Sequence, residues 1–154
     1  MYKFLTIIII FLTYNTYAEK TKEWNFKFSG FMNSKTINLP SGGKVNNFSQ
    51  SGTWEDSLGN YGKGYCYGIS ESQEMKDSFF QYYCEVSDQD NDKFFTKGSR
   101  KSEDAEAGVG KQTIIDGTGK WKTVIGTICV YGVKYVDKVL FASQKCTYQG
   151  EQNN

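Results

Sequence analysis

The 154-residue chain contains no histidine. It therefore cannot hold a Ser-His-Asp triad, a Cys-His dyad or a His-ligated zinc ion. Surplus charge is lacking as well. The 18 Lys and Arg against 17 Asp and Glu leave a net charge of +1, which gives no electrostatic footprint for a nucleic-acid backbone. Aliphatic side chains are scarce: beyond residue 18 there are 17 Ile, Leu and Val against 20 aromatic residues. A core built from this chain must consist largely of rings. Rings bury large areas but need geometric partners and, for Tyr, a wet or hydrogen-bonded place for the hydroxyl. The length fits one domain, and no internal repeat marks a second.

The first 18 residues read as an export signal. Lys3 supplies a short positive region, Phe4 to Leu12 form an uncharged apolar run, and Thr16-Tyr17-Ala18 place small residues where signal peptidase requires them. Cleavage is expected after Ala18. A membrane anchor would want roughly 20 apolar residues, and Tyr14, Asn15 and Thr16 interrupt the run too early. No membrane span is expected after cleavage, and the destination is secreted or periplasmic. The domain assignment is a signal peptide over 1–18, a β-domain over 19–148 and a polar tail over 149–154.

All four cysteines, Cys66, Cys84, Cys129 and Cys146, lie in the exported part. An even number in an oxidising compartment points to two disulfides, for which three connectivities exist. Cys66 and Cys84 flank a polar segment, Ser70 to Asp77, centred near residue 74 or 75. Cys129 and Cys146 flank Val136-Asp137-Lys138. In an antiparallel hairpin, residues equidistant from the turn face each other within about 4.5–5.5 Å, close to disulfide reach. The pairs Cys66–Cys84 and Cys129–Cys146 follow. A four-thiolate zinc site would need CxxC-like pairs that this chain does not have.

After the signal, the pattern is that of strands. Trp24, Phe26 and Phe28 alternate with polar residues at period two. Phe31 to Gly43 reads as a loop with a short strand at Thr36 to Leu39, and Val45 to Trp54 as a strand. In Tyr61 to Ile69, Tyr61, Lys63, Tyr65, Tyr67 and Ile69 share one face, while Gly62, Gly64, Cys66 and Gly68 share the other. Strands follow at Ser78 to Ser87, Lys93 to Lys97, Gln112 to Ile115, Trp121 to Tyr135 and Lys138 to Tyr148. Gly98 to Gly110 reads as the longest mobile loop. About eight short strands joined by polar turns define an all-β protein, an antiparallel barrel or alternatively a sandwich. Glycines inside a strand suit a sharply coiled sheet with rings lying over them. Phe80 and Tyr82 share a face with Cys84 and could cover Gly62, Gly64 and Gly68, so the barrel is preferred.

The segment Asp116-Gly117-Thr118-Gly119-Lys120-Trp121, followed by Gly126, resembles the Gly-Thr-Gly turn segment of the allene oxide cyclase-like barrel superfamily, which includes the dirigent proteins. It spans about a dozen of the 154 residues and departs at Asp116, where that family often has Gly. The resemblance implies an eight-stranded barrel with a central apolar cavity, the turn leading into a barrel strand. It assigns no catalytic residue.

Asp88, Asp90 and Asp92 carry the alternating oxygens that Ca²⁺ coordination uses. Lys93 and Ser99 stand where an EF-hand needs Gly and Glu, leaving a looser Ca²⁺ site or a hairpin turn whose Asp and Asn bond their own backbone. Gly108-Val109-Gly110-Lys111 lacks the spacing of a phosphate-binding loop. Glu103, Asp104 and Glu106 lie among basic residues and read as a solvated face; as paired carboxylates they would instead suit glycoside hydrolysis. The aromatic set Trp54, Tyr65, Tyr67, Tyr83, Trp121, Tyr131 and Tyr135 either fills the core or lines a pocket for an apolar or aromatic ligand.

These features predict a non-catalytic, small-molecule-binding barrel without a cofactor, as a monomer or a homo-oligomer. Two alternatives stand beside it: a barrel enzyme of isomerase or cyclase type using a buried carboxylate or Tyr, with a carboxylate in an apolar pocket as its mark, and an interaction or inhibitor module acting through its loops, marked by an exposed apolar patch or a rigid protruding Gly98 to Gly110 loop.

Overall fold

The structure, a computed structural model, describes residues 21–72, 78–102 and 107–149. Residues 1–18, expected to be an export signal, the cluster Glu103, Asp104 and Glu106, and residues 150–154 of the tail lie outside the described residues. Eight strands follow one another: β1 (Thr21–Asn38), β2 (Lys44–Asp56), β3 (Tyr61–Ser72), β4 (Ser78–Asp88), β5 (Lys93–Ser102), β6 (Ala107–Gly117), β7 (Ile128–Val136) and β8 (Val139–Gln149). Each pairs antiparallel with the next, and β8 returns to β1 from Phe31↔Val139 to Thr21↔Gln149, closing the barrel. Closure leaves no unpaired edge. An eight-stranded interior is just wide enough for side chains to fill or for one small ligand.

The two disulfides pin neighbouring ribbons. Cys66 is opposite Cys84 and Cys129 opposite Cys146 in the ladder, each pair 4.0 Å apart at Cα and joined through sulfur. These are the pairs that hairpin symmetry predicts. All four side chains point into the barrel and are buried. Alternation then fixes what else points inward: Phe80, Tyr82 and Val86 beside Cys84, and Gly62, Gly64 and Gly68 beside Cys66. Phe28 lies 3.0 Å from where a Cβ on Gly64 would be, and Phe48 and Tyr82 crowd Gly68. Gly62 instead meets the Ser87 backbone, so the cover expected from β4 holds only for Tyr82 at Gly68, the ring at Gly64 coming from β1.

Three elements differ from the sequence reading. The Phe31 to Gly43 loop is mostly strand: β1 runs on to Asn38, paired with β2 through Asn38↔Lys44, and only 39–43 turn. Cross-strand pairing overrides the weak local pattern there. Gly98 to Gly110 is likewise largely strand, since β5 extends to Ser102 and β6 begins at Ala107. Third, the long strand expected over Trp121 to Tyr135 is interrupted. Gly119–Val124 forms a 3₁₀ helix and β7 starts at Ile128. Gly119 and Gly126 take φ of +47° and +88°, left-handed values that end strand geometry on either side of Trp121. Backbone bonds from Ile114 to Thr127 and from Gly126 to Ile114 (3.0 and 2.8 Å) tie the segment to β6. Ile115 is an extra residue in β6, a bulge opposite Phe95 and Thr96 that sharpens the local bend.

The 3₁₀ helix closes one end of the barrel. Trp121 stacks on Trp24 (centroids 5.4 Å apart, 27° between planes), Phe26 stacks on Trp54 (5.0 Å, 19°), and Phe94 packs among all four rings at 4.8–6.0 Å. Stacked and edge-on pairs of this kind add to simple burial. Each indole N–H has an acceptor: Trp24 donates to Asp56 (2.8 Å), Trp54 to the Ser87 carbonyl (3.0 Å) and Trp121 to Asp88 (2.9 Å). This half of the interior is solid.

Candidate functional site

The other half is different. Inward-facing Gln50, Tyr82, Val133, Tyr135, Ala142 and Gln144 are half-buried where the ring cluster is buried, so solvent reaches this part of the interior. It holds a cavity of about 60 Å³. Apolar walls come from Phe26, Phe28, Phe48, Val86 and Leu140, and the Cys66–Cys84 bridge forms part of the lining. Into it project Thr96 and Arg100 of β5, Gln112 of β6, Tyr131 and Tyr135 of β7, and Gln144 of β8.

The polar groups are organised. Tyr82 donates to Gln112 Oε1 (3.3 Å), and Gln112 Nε2 donates to Gln144 Oε1. Gln50 Nε2 donates to the Tyr135 hydroxyl (3.0 Å). Tyr131 packs edge-on to Tyr82, with centroids 5.9 Å apart, and donates to the Ser99 carbonyl (3.5 Å). These rings reach inward because β5 and β6 have no side chain at Gly98 and Gly110: a Cβ on either would overlap Tyr82 or Tyr131. The Arg100 guanidinium is buried and lies 4.1 Å from the Phe80 ring centre, a cation–π contact. Thr96 is 1 % exposed, and its hydroxyl has no hydrogen-bond partner among the described residues.

Burial raises the pKa of the Tyr82, Tyr131 and Tyr135 hydroxyls. For Tyr82 the neighbouring Tyr131 adds to this. For Tyr131 and Tyr135, Arg100 works against it without overcoming it. The three phenols are therefore neutral hydrogen-bonding groups at physiological pH, not bases. Among the described residues no carboxylate lines the cavity.

The seven aromatic candidates fall into three places. Trp54 and Trp121 belong to the solid end. Tyr131 and Tyr135 face the cavity. Tyr65, Tyr67 and Tyr83 stand on the outer wall, 45, 67 and 49 % exposed, in a shallow depression with Phe95 and Ile115. They do not line the interior, because the Gly and Cys face of β3 turns inward and receives rings from other strands. The residues that sequence reasoning missed are Gln50, Thr96, Arg100, Gln112 and Gln144. One signal could have found Thr96 and Arg100: they alternate with Lys97 and Lys101 from Phe94 onward, so placing Phe94 inside places both.

Asp88, Asp90 and Asp92 form a turn, and Lys120 supplies the cation there. Asp88 Oδ1 accepts from the backbone N–H of Asp90 and Asp92 (2.9 and 3.0 Å). Its Oδ2 accepts from Trp121 and lies 2.9 Å from Lys120 Nζ, which is 3.3 Å from Asp90. Both oxygens are committed within the protein, which corrects the Ca²⁺ reading: among the described residues no cluster suits a metal ion. Burial would raise the Asp88 pKa, but the bonds from Lys120, Trp121 and the Asp90 backbone outweigh it and hold it below the usual carboxylate value. The same contacts raise that of Lys120.

These features define a closed eight-stranded barrel, solid and sealed at one end, hollow and polar at the other. No protein-family model matches the sequence, and no curated protein matches it. The Gly-Thr-Gly segment that resembles the allene oxide cyclase-like barrels leads here into the 3₁₀ helix and not into a strand.

Proposed function

We propose that this is an exported, non-catalytic binding protein that takes part of a small molecule into the hollow half of its barrel. The observation that carries this reading is the division of the interior. Rings fill one half completely, and the other keeps a cavity into which hydroxyl, amide and guanidinium groups converge, the usual form of a ligand site. An engineered cavity of about 150 Å³ admits benzene, so 60 Å³ takes a polar head group and not a whole aromatic ligand. Two disulfides support an oxidising destination. The outer wall carries Lys27, Lys63, Glu85, Lys97, Lys111 and Lys145, all exposed, whereas a lipid-facing barrel presents an apolar band about 25 Å tall. No helix among the described residues is long and apolar enough to cross a membrane.

The isomerase or cyclase alternative called for a carboxylate in an apolar pocket. The one buried carboxylate described, Asp88, is at the sealed end and bonded to Trp121. The loop-mediated alternative called for an exposed apolar patch or a rigid protruding Gly98 to Gly110 loop; most of that segment is barrel strand, and the outer wall does expose Tyr65, Tyr67, Tyr83 and Ile115.

Amide and methyl NMR of the oxidised protein, titrated with a library of small acids, phenolics and sugars, tests the proposal. Shifts confined to Thr96, Arg100, Tyr131, Tyr135 and their neighbours are expected with at least one class. A library that moves none of them, with ordered water alone in the cavity of a crystal structure, would reject it.

A further inference from the structure

We infer that the far end of β1 is a docking edge for an extended, acidic segment of another protein. β1 and β8 pair from Thr21↔Gln149 to Phe31↔Val139, and one further bond runs from the Met32 amide to the Lys138 carbonyl (2.9 Å). At that level the chain turns from β7 into β8, but β1 runs on to Asn38. On one side β2 pairs with it to the end, through Asn38↔Lys44. On the other side, Asn33 to Asn38 have no strand partner among the described residues, and all six are exposed. Closure thus removes the edge only as far as Phe31. None of these six residues lines the cavity.

Strand geometry says which groups are open. Backbone N–H and C=O directions alternate along a strand. Met32 points its N–H toward β8, so Ser34, Thr36 and Asn38 point theirs the same way, past the place where β8 begins. Such a row of unpaired groups is a template for another strand, and main-chain bonds to it supply the affinity in strand addition. The side chains then choose the strand. Phe31, Asn33, Lys35 and Ile37 share the outward face, and Ile37 is 57 % exposed. From Trp24 to Trp54 the sequence holds three lysines and no carboxylate. Lys27 is met by Glu55 (3.7 Å). Lys35 and Lys44 are exposed and have no ion-pair partner among the described residues.

Charge complementarity therefore favours a strand that sets a carboxylate opposite Lys35 and a β-branched side chain opposite Ile37, cross-strand pairs that stabilise an antiparallel ladder. A second copy of this chain is the poorer occupant. It would bring the same Asn33 to Asn38, in which there is no acid. An antiparallel self-pair that joins the open groups of Ser34, Thr36 and Asn38 has its two-fold axis at Lys35 or at Thr36. The two Lys35 side chains are then directly opposed or diagonal on one face, and like charges so placed are destabilising. A lysine on an open edge guards against pairing of identical edges and leaves an acidic strand welcome.

The probes are short capped peptides of alternating Thr and Val with glutamate, glutamine or lysine at the centre, added to the oxidised protein at neutral pH. Amide hydrogen exchange followed by NMR reads the edge directly. The glutamate peptide should slow exchange at Ser34, Thr36 and Asn38 by at least tenfold at saturation. It should bind about threefold more tightly than the glutamine peptide and about tenfold more tightly than the lysine one. Lys35→Glu, an exposed change, should reverse that order. Thr36→Pro removes an open N–H that β2 does not use, a place where a strand tolerates proline, and should abolish binding. Retained near-ultraviolet dichroism of the ring cluster shows that each variant is folded. No protection from any peptide, equal binding of all three, or an order that Lys35→Glu leaves unchanged would overturn the inference. So would amides of Ser34 and Thr36 already protected in the free protein: protection that rises with protein concentration identifies a second copy, and protection that does not identifies a segment of the same chain.

Discussion

A hydroxyl that finds no partner in a folded protein lowers stability, and Thr96 lets this be measured. Thr96→Val keeps the shape and removes the group, so the ligand-free barrel should gain about 1 kcal/mol, read as a higher urea midpoint at unchanged slope. If the residue serves the ligand, the change that weakens binding strengthens the fold. Such a trade is expected where a site holds unsatisfied groups for use. At this scale the sequence was legible in part. Period two sorted Tyr65, Tyr67 and Cys66 onto opposite faces correctly, but it cannot say which face is inside. The pattern leaves the seven rings on these strands between core and pocket. The fold turned Tyr65, Tyr67 and Tyr83 out, since the space within β3 and β4 belongs to Phe28, Phe48 and Tyr82. Thr96 and Arg100 were hidden by their polarity among lysines.

At the scale of elements, the 3₁₀ helix and the β4–β5 turn work as one closure. Asp88 binds the Trp121 indole, the Lys120 ammonium and two turn amides. Asp88→Ala would leave the buried Trp121 indole without its acceptor and take from Lys120 one of its partners, Asp90 and Asn60 remaining, and should cost about 2–3 kcal/mol in denaturant unfolding. The pH dependence follows from the sign of the shift. Because the folded Asp88 pKa lies below its unfolded value of about 3.9, the folded state is the weaker proton binder. Its contribution is complete above that value and is lost as pH falls through the lower folded one. Calorimetric Tm should stay level from neutrality to about pH 4 and then drop, with a shallower acid limb in Asp88→Asn. The sequence showed the Asp-rich turn and the Gly-Thr-Gly turn separately. Their meeting is a tertiary event between residues about thirty apart, which no local pattern carries. The same holds for β1, whose second half is strand through its pairing with β2.

For the whole molecule, an even set of cysteines and the symmetry of two hairpins were enough to give the disulfide pairs, and strand count with the glycine-bearing face of Tyr61 to Ile69 gave the barrel class. Which end is solid and which hollow was not legible, because it depends on a non-strand segment folding beneath the sheet. Each bridge closes a loop of under 20 residues and should contribute about 3 kcal/mol. Their environments differ. Cys66–Cys84 borders the cavity with 6 and 8 % exposure, while Cys129 and Cys146 are each 1 % exposed. Graded reductant followed by alkylation and mass mapping should open Cys66–Cys84 first, with Cys129–Cys146 yielding only as the barrel unfolds. Simultaneous loss of both bridges would contradict that order.

All three tryptophans of the chain stand at one extremity of the molecule, Trp24 and Trp54 each packed on Trp121. Its natural fluorescence is therefore a local lamp. Emission will brighten, dim or shift when the plugged mouth loosens, yet stay almost dark to guests entering from the opposite side. A spectroscopist who relied on that glow alone would conclude that an occupied protein was empty.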